Sequence, residues 1–179
     1  RFGAMSELHR VFLIGPMGAG KTTIGRQLAR SLGFGFADSD AEIEVRTGAD
    51  IPWIFDVEGE AGFREREEAV LAEMTTWDNT VLATGGGAIL RPANRQALAE
   101  RGYVIYLRTT LEEQLPRPRR DRNRPLLQTA DPEGTLRRLF AERDPLYRSV
   151  ADLVIDTDSS SPKTVAQRVL SSLRAATDS

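Results

Sequence analysis

The sequence predicts an α/β fold, a three-layer sandwich with a parallel sheet between two layers of helices. Short apolar runs alternate along the whole chain with longer stretches whose apolar residues recur at helical spacing. Strands separated by helices pair in parallel and are covered on both faces, so they read as unbroken apolar runs. Val11 to Ile14 is the first strand, and Gly15 to Gly20 a turn. Lys21 to Leu32 follows as a helix, because Ile24, Leu28 and Leu32 recur every fourth residue. Phe34 to Ala37 reads as a second strand, closed by Asp38 and Asp40. Glu42 to Thr76 is mostly helical, with breaks near Gly48, Pro52 and Gly59 to Gly62. Thr80 to Ala83 makes a third strand that runs into Gly85, Gly86 and Gly87. Arg91 to Arg101 is a helix with Pro92 in its first turn, where a missing N–H costs little. Val104 to Leu107 is the fourth strand, and a helix starts at Thr110. Pro132 to Val150 is helical, Leu153 to Ile155 a fifth strand, and Pro162 to Ala175 the last helix.

Composition narrows the chemistry. The chain has 179 residues, 40% of them hydrophobic, enough for one domain with a sizeable core. Arg1 to Ala4 is expected to be a cloning remnant ahead of a native start at Met5, leaving 5–179 as a single domain. The formal charge is −2, which argues against nucleic acid or a membrane surface as partner. There is no Cys, and His9 is the single histidine, so thiolate nucleophiles, disulfides and His-ligated catalytic metals are excluded. No apolar run reaches the length of a membrane span and no signal peptide is visible, so a cytoplasmic protein is expected. A monomer is expected.

The most specific pattern is Gly15-Pro16-Met17-Gly18-Ala19-Gly20-Lys21-Thr22, which fits G-x-x-x-x-G-K-[ST] between a predicted strand and a predicted helix. Glycines let successive backbone N–H groups curl around a phosphate, and the helix N-terminus adds partial positive charge. Lys21 is expected to reach the β- and γ-phosphates and the Thr22 hydroxyl to ligate Mg²⁺. Gly15, Gly18, Ala19, Gly20 and Thr23 complete the expected ATP-binding set. No Asn-Lys-x-Asp guanine signature is present. Of the two acidic residues that close apolar strands, Asp38 and Asp156, Asp38 is the better candidate for the metal site.

Other residues suit an acceptor. Asp38 and Asp40 face the same way if the chain stays extended, one for the metal and one for a substrate hydroxyl. Asp40 also suits the N-cap of a helix starting near Ala41. Arg64 and Glu67 share a helix face. Gly85 to Gly87 allow close backbone approach to a ligand. Arg117, Arg119, Arg120, Arg122 and Arg124 fall in a stretch of little apolar content, about 116–130, which reads as a lid whose guanidiniums neutralise phosphoryl charge.

Taken together, Gly15 to Thr22, Asp38-Ser39-Asp40, Arg46-Thr47-Gly48, Gly62-Phe63-Arg64 with Glu67, Ala83 to Gly87, Arg124-Pro125-Leu126-Leu127 and Arg143-Asp144-Pro145-Leu146-Tyr147 resemble the shikimate kinase family. The resemblance implies five parallel strands in the order 2-3-1-4-5, substrate-binding helices over about 41–76, and MgATP-dependent phosphorylation of the shikimate 3-hydroxyl. It implies that Asp40 holds shikimate hydroxyls, that Arg64 and Arg143 grip the carboxylate, that Glu67 orients Arg64, and that Gly85, Gly86 and Gly87 meet the ring. Arg124 is implied to reach the phosphates, Arg117 to pack on adenine, and Pro162 to stand on the nucleotide side. Lys21, Asp40 and Arg124 form the implied catalytic set. A phosphate would also suit Arg64 and Arg143, so another small acceptor such as gluconate or a nucleoside monophosphate stays open. So does a catalytically silent binding protein of the same fold.

Overall fold

The computed structural model describes residues 8–109, 131–157 and 160–177. The described elements are β1 (Arg10–Ile14), α1 (Lys21–Leu32), β2 (Gly35–Asp38), α2 (Ser39–Thr47), α3 (Ile51–Met74), β3 (Thr80–Ala83), a 3-10 turn (Ala88–Leu90), α4 (Pro92–Arg101), β4 (Tyr103–Arg108), α5 (Pro132–Val150), β5 (Leu153–Asp156) and α6 (Pro162–Thr177). The five strands form one parallel sheet in the order β2-β3-β1-β4-β5. Side chains alternate across it and divide the core in two. Phe12, Ile14, Leu82, Val104 and Tyr106 pack with Leu71 and Met74 of α3, Leu98 of α4 and Tyr147 of α5. Val11, Leu13, Val81, Ile105 and Leu107 pack with Ile24 and Leu28 of α1 and Val169 and Leu173 of α6. Both faces of the central strands are therefore buried, which is why those strands carry no polar alternation. Among the described residues no helix is long and apolar enough to cross a membrane.

Two local readings change. The helix after β2 opens at Ser39, not near Ala41, and Asp38 rather than Asp40 caps it: its Oδ1 accepts from the N–H groups of Asp40 (2.9 Å) and Ala41 (3.1 Å). Capping at Asp38 leaves the Asp40 carboxylate free for the site. The break expected near Gly48 and Pro52 is present between α2 and α3, and Pro52 stands in the first turn of α3, where its missing N–H is harmless. The interruption of α3 lies at Gly59 alone, with φ 72° and ψ 175°. The helix expected from Thr110 and the lid at about 116–130, with Arg117 and Arg124, lie outside the described residues.

Candidate active site

Strand order brings the C-terminal ends of β2, β3 and β1 side by side, at the edge where open α/β sheets bind ligands. β1 delivers the phosphate loop. Gly15 has φ 146°, and a Cβ there would stand 2.4 Å from the carbonyl oxygen of Leu107 on β4. Only glycine lets the chain turn this close to its neighbour strand. Gly20 occupies the N-cap of α1 in a left-handed conformation without a capping side chain, so no side-chain oxygen competes with an anion at this helix start. The Lys21 ammonium bends back over the loop and donates to the carbonyls of Gly15 (2.6 Å) and Pro16 (2.8 Å). Ala19 is buried, while Thr22 and Thr23 are exposed at the helix start.

The Thr22 hydroxyl donates to Oδ2 of Asp38 at 3.1 Å. Two hard oxygen donors at the edge of a phosphate loop fit Mg²⁺, which takes one or two protein oxygens and keeps its remaining positions for phosphate and water. Asp156 closes the opposite edge strand, β5, and pairs with Arg108 at 3.2 Å.

Beside the loop opens a cleft of about 330 Å³. Asp40, Arg64, Glu67, Gly85, Gly86, Gly87 and Arg143 all line it, together with Met17 of the phosphate loop. The three glycines form its floor by close approach. A Cβ at Gly85 would stand 2.6 Å from Oδ1 of Asp40 and 3.0 Å from Oε2 of Glu67. One at Gly87 would stand 2.3 Å from Nη2 of Arg64, and one at Gly86 lies 3.5 Å from both Nη1 of Arg143 and the Met17 nitrogen. Gly86 thus separates the loop from an arginine of the cleft by little more than one atom layer. Arg64 donates through Nη1 to Glu67 (3.0 Å), which is fully buried, and through Nη2 to Glu60 (3.3 Å). Its guanidinium carbon also lies 5.1 Å from the centre of the Phe63 ring. Arg143, 8% exposed, sits inside α5; the helix continues through Pro145, on the exposed side where a released carbonyl can meet water.

The electrostatics are tense. Burial, then the nearby carboxylates of Glu67 and Asp38, push the Asp40 pKa from 3.8 up to about 7, against the pull of Lys21 and Arg64. Burial also raises Glu67 above the usual carboxylate range, although Arg64 opposes it. Oδ1 of Asp40, Oε2 of Glu67 and the Nε atoms of Arg64 and Arg143 are buried with no partner among the described residues. Buried polar groups are nearly always paired, so two cations and two acids with spare valences in one cleft mark a binding site. It suits a small ligand with a carboxylate and several hydroxyls.

A family model described as shikimate kinase matches residues 17–174. The chain belongs to the shikimate kinase family. It is 60% identical over 166 residues to a shikimate kinase of Pseudomonas fluorescens (strain Pf0-1), covering 93% of this chain and 96% of that one. A shikimate kinase of Halorhodospira halophila (strain DSM 244 / SL1) is 59% identical over 165 residues, covering 92% and 93%. The solved structure of shikimate kinase from Acinetobacter baumannii in complex with shikimate matches with a TM-score of 0.93 at 53% identity, covering 96% of both chains. Shikimate kinases use ATP with Mg²⁺, and the strand order expected of the family is the one found.

Some residues of the site were not singled out from the sequence. Met17 reaches the cleft from the phosphate loop, and Ile51 and Phe55 supply apolar wall to it. Ser39, buried between the two aspartates, accepts from the Gly85 N–H at 3.2 Å and ties α2 to the end of β3. Tyr147 donates its hydroxyl to the Gly86 carbonyl and stacks on Tyr106 at 4.7 Å between ring centres. Burial pushes the Tyr147 pKa up to about 12, so this donor keeps its proton at any physiological pH. The only signal for Tyr147 was its place in Arg143-Asp144-Pro145-Leu146-Tyr147.

Proposed function

We propose that this chain transfers the γ-phosphoryl of ATP to the 3-hydroxyl of shikimate, giving shikimate 3-phosphate and ADP, a step toward the aromatic amino acids. The observation that carries it is the pair Arg64 and Arg143 in one cleft whose glycine floor abuts the phosphate loop. A planar guanidinium fork suits a carboxylate, and two of them hold the acid end of the acceptor. Glu67 fixes Arg64, and the backbone of Gly85 to Gly87 lets the ring lie close. Asp40 holds the hydroxyls and, with its pKa raised to about 7, takes the proton of the attacking oxygen as the new O–P bond forms and the bond to the β–γ bridging oxygen breaks. Lys21 leaves its loop carbonyls for the phosphates. Thr22 and Asp38 hold Mg²⁺, which supplies charge neutralisation when bound. Gly15, Gly18, Ala19, Gly20 and Thr23 belong to the ATP site.

Arg117 against adenine, Arg124 on the phosphates and Pro162 on the nucleotide side complete the proposal, with the lid at about 116–130 excluding water during transfer. Residues 5–179 act as one domain, in the cytoplasm, as a monomer. ADP release measured in parallel with shikimate, gluconate and AMP tests the reading. Release with shikimate alone is expected; release with gluconate or AMP in its place, or none with any acceptor, overturns it.

A further inference from the structure

We infer that Glu60 is an internal stand-in for the acceptor's carboxylate: it holds Arg64 while the cleft lacks its ligand, and the incoming carboxylate displaces it. The inference rests on the acceptor reading above. Arg64 has two acidic partners of different kinds. The Glu67 side chain is wholly buried in the cleft lining, and the Glu60 side chain, outside that lining, is 48% exposed where it meets Arg64. Glu67 cannot leave without burying an unpaired charge, whereas Glu60 can turn into water at little cost.

The geometry places Glu60 on the binding edge. Glu67 accepts from Nη1 and Glu60 from Nη2, and the edge that carries an unused buried donor is the one from Nε to Nη2. Nε is buried without a partner among the described residues, while Nη2 donates to Glu60 at 3.3 Å. A carboxylate gripping that edge with two parallel bonds meets the Glu60 oxygen at Nη2, and two carboxylates on one nitrogen repel. Gly87 closes off one side of the guanidinium, where a Cβ would stand 2.3 Å from Nη2, and the bond to the buried Glu67 restrains it further. The acid must move instead. Its backbone permits this: the preceding Gly59 interrupts α3 at φ 72° with nothing within 4 Å of where its Cβ would be. Glu60 therefore starts a helical segment and is not clamped inside one.

An alternative role, in which Glu60 merely props Arg64 in place, predicts the opposite sign. If Glu60 is a prop, removing it weakens acceptor binding; if it competes, removing it tightens binding. Isothermal titration of the intact protein with shikimate is run on the parent, Glu60→Gln and Glu60→Ala. Both variants are expected to bind shikimate about three- to fivefold more tightly, the scale of a half-exposed ion pair. The uncharged methyl ester of shikimate is expected to bind all three proteins alike. Equal or weaker shikimate binding by the variants overturns the inference, as does an equal gain for the ester. A parent that gives no shikimate-dependent ADP release overturns the functional reading and this inference with it. Release by the parent together with unimproved variants overturns this inference alone.

Discussion

Asp40→Asn is expected to make the protein more stable at alkaline pH while removing most turnover. Burial and the carboxylates of Glu67 and Asp38 hold the Asp40 pKa near 7 in the folded chain, against 3.8 as its ordinary value. For an acid raised by folding, the native state keeps a proton that the unfolded chain has already lost. Stability from this group is complete below the unfolded pKa and is lost as pH rises through the folded one. Between pH 5 and 8 the parent therefore loses about 3 kcal/mol from this group, most of it below pH 7, and the loss then levels off. Asparagine is isosteric with the protonated carboxyl and does not titrate. The stability advantage of Asp40→Asn should accordingly grow by about 3 kcal/mol from pH 5 to pH 8, or roughly 5–10 °C in Tm for a chain of this length. Calorimetric melts of both proteins at unit pH steps, without nucleotide or Mg²⁺, measure it. A Tm difference that is flat or shrinks with pH would refute the argument from burial and like charge. Normal turnover in the same variant would sink the assignment of Asp40 to the proton.

Two glycine substitutions probe the close approaches. In Gly87→Ala the new methyl would meet Nη2 of Arg64 at 2.3 Å and Cζ at 2.5 Å, forcing the guanidinium off its seat. The expected result is a KM for shikimate raised at least about tenfold, since an arginine partner of a buried carboxylate is worth about 2–5 kcal/mol, with ATP affinity unchanged; an unchanged KM for shikimate would show that Arg64 grips nothing. In Gly15→Ala the clash is with a strand carbonyl at 2.4 Å, and the φ of 146° is strained for any side chain. A loss of about 1–3 kcal/mol in urea unfolding and loss of ATP binding are expected, and wild-type values for both would refute the tight turn.

The strands and the phosphate loop were legible because their causes are local. Val11 to Ile14 is apolar throughout because both faces of β1 are covered, and Gly15 to Thr22 must carry its glycines in sequence to wrap an anion. The acceptor cleft was legible only through a resemblance, for a physical reason. Arg143 looks like an ordinary surface helix residue; only the crossover from β3 through α4 and β4 to α5 brings it to Gly86, 57 positions away in sequence. The same holds for the Tyr147 hydroxyl on the Gly86 carbonyl. Asp38 stands out in the sequence as an acid that closes an apolar strand, yet it serves also as the cap of α2. No local pattern distinguishes those roles, because a cap and a ligand use the same short acidic side chain. Glu60 gave no signal at all, since an i,i+4 Glu–Arg pair on a helix usually marks nothing but a solvated face.

Charge balance explains why the cleft tolerates so many buried ionisable groups. With Asp40 protonated, Arg64 and Arg143 face the buried Glu67 within the cleft, and Glu60, half-exposed beside Arg64, makes two anions against two cations. In a low-dielectric site an unmatched charge is far more costly than a matched pair. An acceptor carboxylate entering without compensation would leave the cleft one negative charge in excess. Release of Glu60 into water removes that excess as the acceptor arrives. It also leaves Glu67, which cannot move, to hold Arg64 at its bonding angle. The neutral form of Asp40, well populated near pH 7, lies against a hydroxyl rather than repelling the incoming acid. On this account the raised pKa of Asp40 and the exposed position of Glu60 serve the same end, admitting an anion to a site already rich in acids.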